Sequence, residues 1–104
     1  MTNDEKRDAI LLVISSIPKG QVATYGSVAE MASLKGHARF VGSILKNLPS
    51  GSTIPWFRVI NSQGKISFPE NGEKFCEQKN RLESEGILFK NNKINLKKYL
   101  WIGN

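Results

Sequence analysis

Between Ala38 and Leu48 the chain carries two helical stripes that demand different surroundings. Val41, Ile44, Leu45 and Leu48 recur at i, i+3, i+4 and i+7, the spacing of one apolar helix face. Arg39, Gly42, Ser43 and Lys46 repeat that spacing opposite, making a face small at its centre and basic at both ends. Such a helix rests on a core with one side and offers a shallow positive surface with the other. Gly42 costs about 1 kcal/mol of helix propensity relative to alanine, a cost that some close approach would justify. A short helix and the turn Ser33-Leu34-Lys35-Gly36 precede this segment, which is a helix-turn-helix pattern. Two neighbouring helices of any small bundle would share it.

The rest of the chain reads as short elements around this pair. Ile10, Val13, Ile14 and Ile17 mark a first helix, with Asn3 or Asp4 placed to cap its start and Pro18-Lys19-Gly20 to end it. Val22 to Gly26 is a short extended stretch and turn. Ser27 and Glu30 have capping-box spacing, which predicts a second helix from Ser27 to about Ser33. Ile54 to Ile60, the turn Asn61-Ser62-Gln63-Gly64, and the alternating Ile66 and Phe68 predict a short hairpin, or wing. A fourth helix is predicted over about Glu73 to Glu85, with Gly86 as its left-handed terminal residue and Ile87 packing back on Leu82. Ile87/Phe89 and Ile94/Leu96 flank Lys90-Asn91-Asn92-Lys93 as a second small hairpin, and Tyr99 and Trp101 anchor one end of the core. The fold class is therefore mainly α with short β-hairpins, a winged helix-turn-helix, and residues 1–104 are expected to form a single domain.

Charge points toward a polyanion. Fifteen Lys and Arg against nine Asp and Glu give a net charge of +6. From Met31 to Pro69 there is no acidic residue, while Lys35, Arg39, Lys46, Arg58 and Lys65 all fall there. One cysteine, Cys76, forbids an internal disulfide and fits a reducing compartment. No apolar run reaches membrane-spanning length, and the N-terminus lacks the apolar core of a secretion signal, so the expected location is cytoplasmic. Catalytic chemistry is sparse. The single histidine, His37, stands near no second ligand and reads as solvated or phosphate-facing, and Cys76 reads as a buried spacer within its helix. No phosphate loop, metal-ligand spacing or carboxylate pair occurs, so no catalytic residue, metal or cofactor is expected.

Three segments, Ile17 to Gly26, Ala38 to Gly42, and Pro55 to Ile60, together resemble the active-site domain of the O6-alkylguanine-DNA alkyltransferases. The resemblance runs from the first helix to about Ile87 and is closest to the family's inactive relatives, the alkyltransferase-like proteins. Active members read Pro-Cys-His-Arg-Val in the third motif, and that cysteine takes the alkyl group. Here Pro55, Arg58 and Val59 match, but Trp56 replaces the cysteine and Phe57 the histidine. Glu85-Gly86 resembles the Glu-Gly whose carboxylate orients that histidine, so Glu85 is left without its usual partner. Alkyl transfer needs a thiolate and a base to keep it ionised. An indole supplies neither, but it is a large apolar wall for an alkyl chain or a base edge.

By this resemblance Tyr25, Trp56 and Val59 line a lesion pocket, with Tyr25 also helping to turn the nucleotide outward. Arg39 enters the gap left by the extruded base, where its plane stacks and its donors reach the orphaned partner. The small face at Ala38 and Gly42 lets the helix sit deep in the minor groove, Thr24, Ser27 and Ser62 contact phosphates, and Lys46 adds nonspecific attraction. The loop from Ser67 to Gly72 departs from the glycine-rich lid of active enzymes. The implied function is binding of double-stranded DNA at O6-alkylguanine, with base flipping and no transfer, by a monomer that marks damage for nucleotide excision repair proteins. The rival readings are a winged-helix transcription regulator without lesion recognition, and a residual enzyme using Cys76.

Overall fold

The structure, a computed structural model, describes Met1 to Gly103; Asn104 lies outside the described residues. Helix α1 (Asn3–Ser15) is capped by Thr2 rather than by Asn3 or Asp4. Thr2 Oγ1 accepts the Glu5 N–H at 3.1 Å while Glu5 Oε1 accepts the Thr2 N–H at 3.0 Å, so a reciprocal capping box fixes the start one residue earlier. The same competition moves α2 (Tyr25–Met31), which is capped by Thr24 and not by Ser27. Thr24 and Ser27 satisfy each other's backbone N–H groups at 3.0 and 2.9 Å, an arrangement that Ser27 with Glu30 does not make. Helix α3 (Ala38–Lys46) follows the turn and buries Val41 and Ile44 as its stripe predicts, with Leu45 and Leu48 half-buried.

Where the sequence suggests a hairpin from Ile54 to Phe68, the chain does something different. Trp56–Arg58 forms one 3-10 turn, and β2 (Val59–Ile60) pairs in parallel with β1 (Ala23–Thr24), Ala23 opposite Val59 and Thr24 opposite Ile60. Local alternation cannot reveal a parallel partner so distant along the chain. The turn at Asn61 to Lys65 closes on itself, and Gly64 docks on the later hairpin, its carbonyl accepting the Ile94 N–H at 2.9 Å. A side chain on Gly64 would meet Ile94 O at 2.5 Å, and φ there is +78°, so only glycine fits.

Helix α4 (Glu73–Ser84) ends as expected: Gly86 has φ +90°, and the Ile87 N–H reaches Leu82 O at 3.2 Å. Strands β3 (Phe89–Lys90) and β4 (Lys93–Ile94) form the second hairpin, while Leu96, read as part of it, begins a short helix α5 (Leu96–Tyr99). Cys76 is exposed, contrary to its reading as a buried spacer. The buried positions of α4 are Phe75, Gln78 and Leu82, and Cys76 falls off that stripe.

The small parallel sheet divides the interior in two. Period-two alternation sends Ala23, Val59 and Trp101 toward α1, α2 and α3, and Val22, Ile60 and Tyr99 toward α4 and the β3–β4 hairpin. The C-terminal stretch joins beside β1, with Val22 N–H on Tyr99 O at 2.9 Å and Trp101 N–H on Val22 O at 2.8 Å. Tyr99 and Trp101 are thus the anchors that their position suggests. Ile10, Ile14, Ile60 and Leu82 are fully enclosed, each contributing about 1.5–3 kcal/mol through burial.

Candidate nucleic-acid interface

A cleft of about 800 Å³ opens beside α3. Its walls come from Tyr25 of α2, Gly42 and Lys46 of α3, the loop from Leu48 to Ser52, Trp56 and Val59, Phe68, and the exposed edge of α4. Tyr25, Trp56 and Val59, singled out from sequence as pocket residues, therefore meet in one place. Gly42 and Lys46 border it too. Thr24, Ser27, Ala38, Arg39 and Ser62 do not line it.

Trp56 is wedged by its neighbours. Its ring stands edge-on to Phe57 at 6.0 Å and to Phe68 at 6.2 Å between centroids, and Lys74 Nζ lies 4.9 Å over its face. Phe57 is buried, with the Arg81 and Arg58 guanidinium carbons 4.3 and 5.2 Å from its ring centre. The backbone beneath is held by Gln78, whose Nε2 donates to Phe57 O and Val59 O, both at 3.0 Å.

Glu85 is paired, which corrects the reading that it lacks a partner. Arg58 Nη2 and Nε donate to its two carboxylate oxygens at 2.6 and 3.0 Å, and Gly20 N–H donates to Oε1 at 3.1 Å. Arg58 Nη1 also donates to Ile17 O at 2.9 Å. Burial pushes the Glu85 carboxyl up, but the Arg58 and Gly20 hydrogen bonds and the Arg58 and Lys19 charges outweigh it and hold its pKa below the ordinary value. The clamp fastens the loop before β1 and the Trp56 turn to the end of α4.

The remaining predicted contacts are dispersed over the surface. Arg39 is exposed and makes no hydrogen bond or ion pair with any described residue. Ala38 is half-buried and Ser62 exposed. Ser27 Oγ already donates to Thr24 O at 3.1 Å, so its proton is committed to the cap, whereas the Thr24 hydroxyl proton has no acceptor among the described residues. A methyl at Gly42 would meet only Tyr25 Cε1, at an ordinary 3.9 Å, so packing inside the protein does not require glycine there. His37 turns its Nδ1 to Leu34 O at 3.1 Å and is half-buried.

Sequence reasoning missed Phe68, Lys74, Gln78 and Arg81. For Gln78 the signal was present: a polar residue occupying a core position of α4 between Phe75 and Leu82. Glu77 sits between Lys74 and Arg81 at 3.6 and 3.7 Å, exposed pairs worth under about 1 kcal/mol. Among the described residues no cluster of His, Cys, Asp and Glu could hold a metal, and no helix is long and apolar enough to cross a membrane.

The profile of the 6-O-methylguanine DNA methyltransferase DNA-binding domain matches residues 5–87. A DNA base-flipping protein of Vibrio parahaemolyticus is 56% identical over 88% of this chain and 91% of its own length. The Schizosaccharomyces pombe alkyltransferase-like protein 1, in its crystal structure with damaged DNA containing O6-carboxymethylguanine, superposes with a TM-score of 0.88 at 37% identity, over 97% of this chain and 98% of that one. The Mycobacterium tuberculosis OGT, solved in complex with DNA, gives a TM-score of 0.66 at 28% identity over 76% of this chain and 48% of that chain. The helix-turn-helix frame, the cleft walled by Trp56 and these matches along almost the whole length agree, and the chain belongs to the alkyltransferase-like branch of the O6-methylguanine DNA methyltransferase family.

Proposed function

We propose that the chain binds duplex DNA at O6-alkylguanine, receives the extruded base in the cleft, and leaves the alkyl group in place. The observation that carries this is the position of Trp56: an indole, with Tyr25 and Val59, walls the cleft where the active family has its thiol. The chain's one thiol, on Cys76, lies on the exposed side of α4 and does not line the cleft. Extrusion has to offset a few kcal/mol of lost stacking, less where alkylation has already weakened pairing. Arg39, free of partners, fills the vacated stack. Gly42, whose missing side chain serves no internal contact, and the small Ala38 let α3 approach the minor groove, while Thr24, Ser27 and Ser62 lie along the DNA backbone. The outer face of α3, with Gly42 and Ser43, suits this better than the base-edge reading of a transcription regulator. Residues 1–104 act as one domain and as a monomer in the cytoplasm, and the bound lesion is passed to nucleotide excision repair proteins, since a protein that marks damage without removing it needs a successor.

The test is affinity for matched duplexes containing guanine or O6-methylguanine at two salt concentrations, with labelled methyl followed to protein. The lesion duplex is expected to bind more tightly, with no label transferred. Equal affinities at physiological salt would overturn the reading.

Restoring the nucleophile alone tests what disables the site. Trp56→Cys is expected to give no efficient methyl transfer, because Phe57 can accept no proton and a thiol near its ordinary pKa of about 8.5 is only a few per cent ionised at pH 7. Phe57→His alongside it supplies a base, but Glu85 is already held by Arg58 and Gly20 and is not free to orient an imidazole. Efficient transfer by Trp56→Cys alone would show the base to be dispensable.

A further inference from the structure

We propose that the β3–β4 hairpin is a second phosphate-binding surface. There Lys90 and Lys93, with Lys65 beside them, grip the duplex that flanks the lesion on one side. This rests on the DNA placement proposed above, in which Ser62 lies along the backbone. From Gly86 to Asn104 the chain has no acidic residue but carries Lys90, Lys93, Lys97 and Lys98, a second basic stretch besides the one from Met31 to Pro69. All four are exposed, and none forms an ion pair with a described residue.

Two of these lysines stand where folding alone disfavours them. Lys90 and Lys93 are directly opposite in the hairpin register, so their side chains leave from the same face. Like charges so opposed destabilise a strand pair, whereas opposite charges would stabilise it. The hairpin is also held against slipping. Asn91 and Asn92 both take left-handed φ values, 53° and 58°, as a tight two-residue turn requires. Lys79 Nζ, on α4, donates to Asn92 Oδ1 at 2.9 Å and lies 5.6 Å from the Phe89 ring centre, tying the tip of the hairpin to α4. A fixed pair of unpartnered ammonium groups suits the closely spaced single charges of a phosphate backbone.

Position supplies the occupant. The Gly64 carbonyl accepts the Ile94 N–H, so the turn that carries Ser62 rests on the hairpin. Lys65 follows Gly64 and Lys93 precedes Ile94, so two exposed lysines flank that one hydrogen bond. Neither Lys65 nor the hairpin lines the cleft. A DNA backbone that passes Ser62 meets Lys65 and then the lysine pair, away from the extruded base. The hairpin therefore adds affinity and lengthens the footprint, and takes no part in choosing the lesion.

The experiment measures affinity at several salt concentrations for three duplexes: a short one centred on O6-methylguanine, and two extended only upstream or only downstream of it, each with its guanine counterpart. The native chain is expected to gain more from one extension than from the other, with a steeper salt dependence on that arm. Lys90→Gln combined with Lys93→Gln is expected to cancel the gain and to lower the slope of log affinity against log salt there by about two. Binding of the short duplex and the ratio of O6-methylguanine to guanine affinity are expected to stay as they are. The unfolding midpoint is expected to hold or rise, because the substitutions remove a repulsion, so lost binding cannot be ascribed to misfolding. An equal effect of the variant on all three duplexes, or on none, would overturn the proposal. So would a changed lesion ratio, which would put the lysines at the base. A native chain without lesion preference that still shows the one-arm loss would instead remove the lesion reading and leave the hairpin contact standing.

Discussion

Glu85→Ala is expected to destabilise the fold by about 3 kcal/mol, read from chemical or thermal unfolding. The carboxylate is 8% exposed and its Arg58 partner 17%, so truncation leaves a partly buried guanidinium and the Gly20 N–H without their acceptor. A surface pair would give a fraction of this. The pH dependence has a definite sign. Glu85's carboxyl has a lower pKa folded than the 4.5 of an unperturbed group, so its stabilisation is fully present above about that value and is lost as pH falls through the folded pKa. Glu85→Gln keeps an acceptor for Gly20 but no charge, and is expected to flatten stability in that acid range. An Ala variant within 0.5 kcal/mol of the native chain would mean that the clamp contributes little.

Arg39→Ala is expected to remove most of the lesion preference, about 1–3 kcal/mol of binding, with little change in unfolding because the side chain is exposed and makes no hydrogen bond or ion pair with any described residue. Lys46→Ala separates the electrostatic contribution: it is expected to weaken damaged and undamaged duplexes alike and to lower the slope of log affinity against log salt by about one. Lys46 borders the cleft, so a lesion-selective loss from this variant would place it among the groups that read the base. Identical profiles for the two variants would refute the division of roles.

Periodicity made the helices legible. The apolar stripe of α3, and Gly86 with Ile87 folding back on Leu82, were visible because they depend on residues within a turn or two of one another. Helix starts slipped by one to three residues where a better capping partner stood just outside the chosen one, Thr2 before Asn3 and Thr24 before Ser27. Long-range pairing was not legible. Val59 and Ile60 look like half of a hairpin until Ala23 and Thr24 are beside them. Tyr25, Trp56 and Val59 could be grouped in advance, and line one cleft, because motif resemblance links distant segments. The α4 wall was missed because Lys74, Gln78 and Arg81 lie on a helix that its charges make look solvent-facing, and Glu85 was judged by the partner it lacks rather than by Arg58, its neighbour in space.

The closing of the β1 edge by the C-terminal stretch sets a temporal order on the ribosome. Val22 is made well before its backbone partners at Tyr99 and Trp101, which lie far along the chain. Because synthesis runs at roughly 5–20 residues per second, the helix-turn-helix pair is exposed for several seconds before the strand beneath it can be completed. Contacts of such wide sequence separation are slow to nucleate and are gained together. The outer face of α3 is therefore synthesised well before the stretch that closes the β1 edge beneath it.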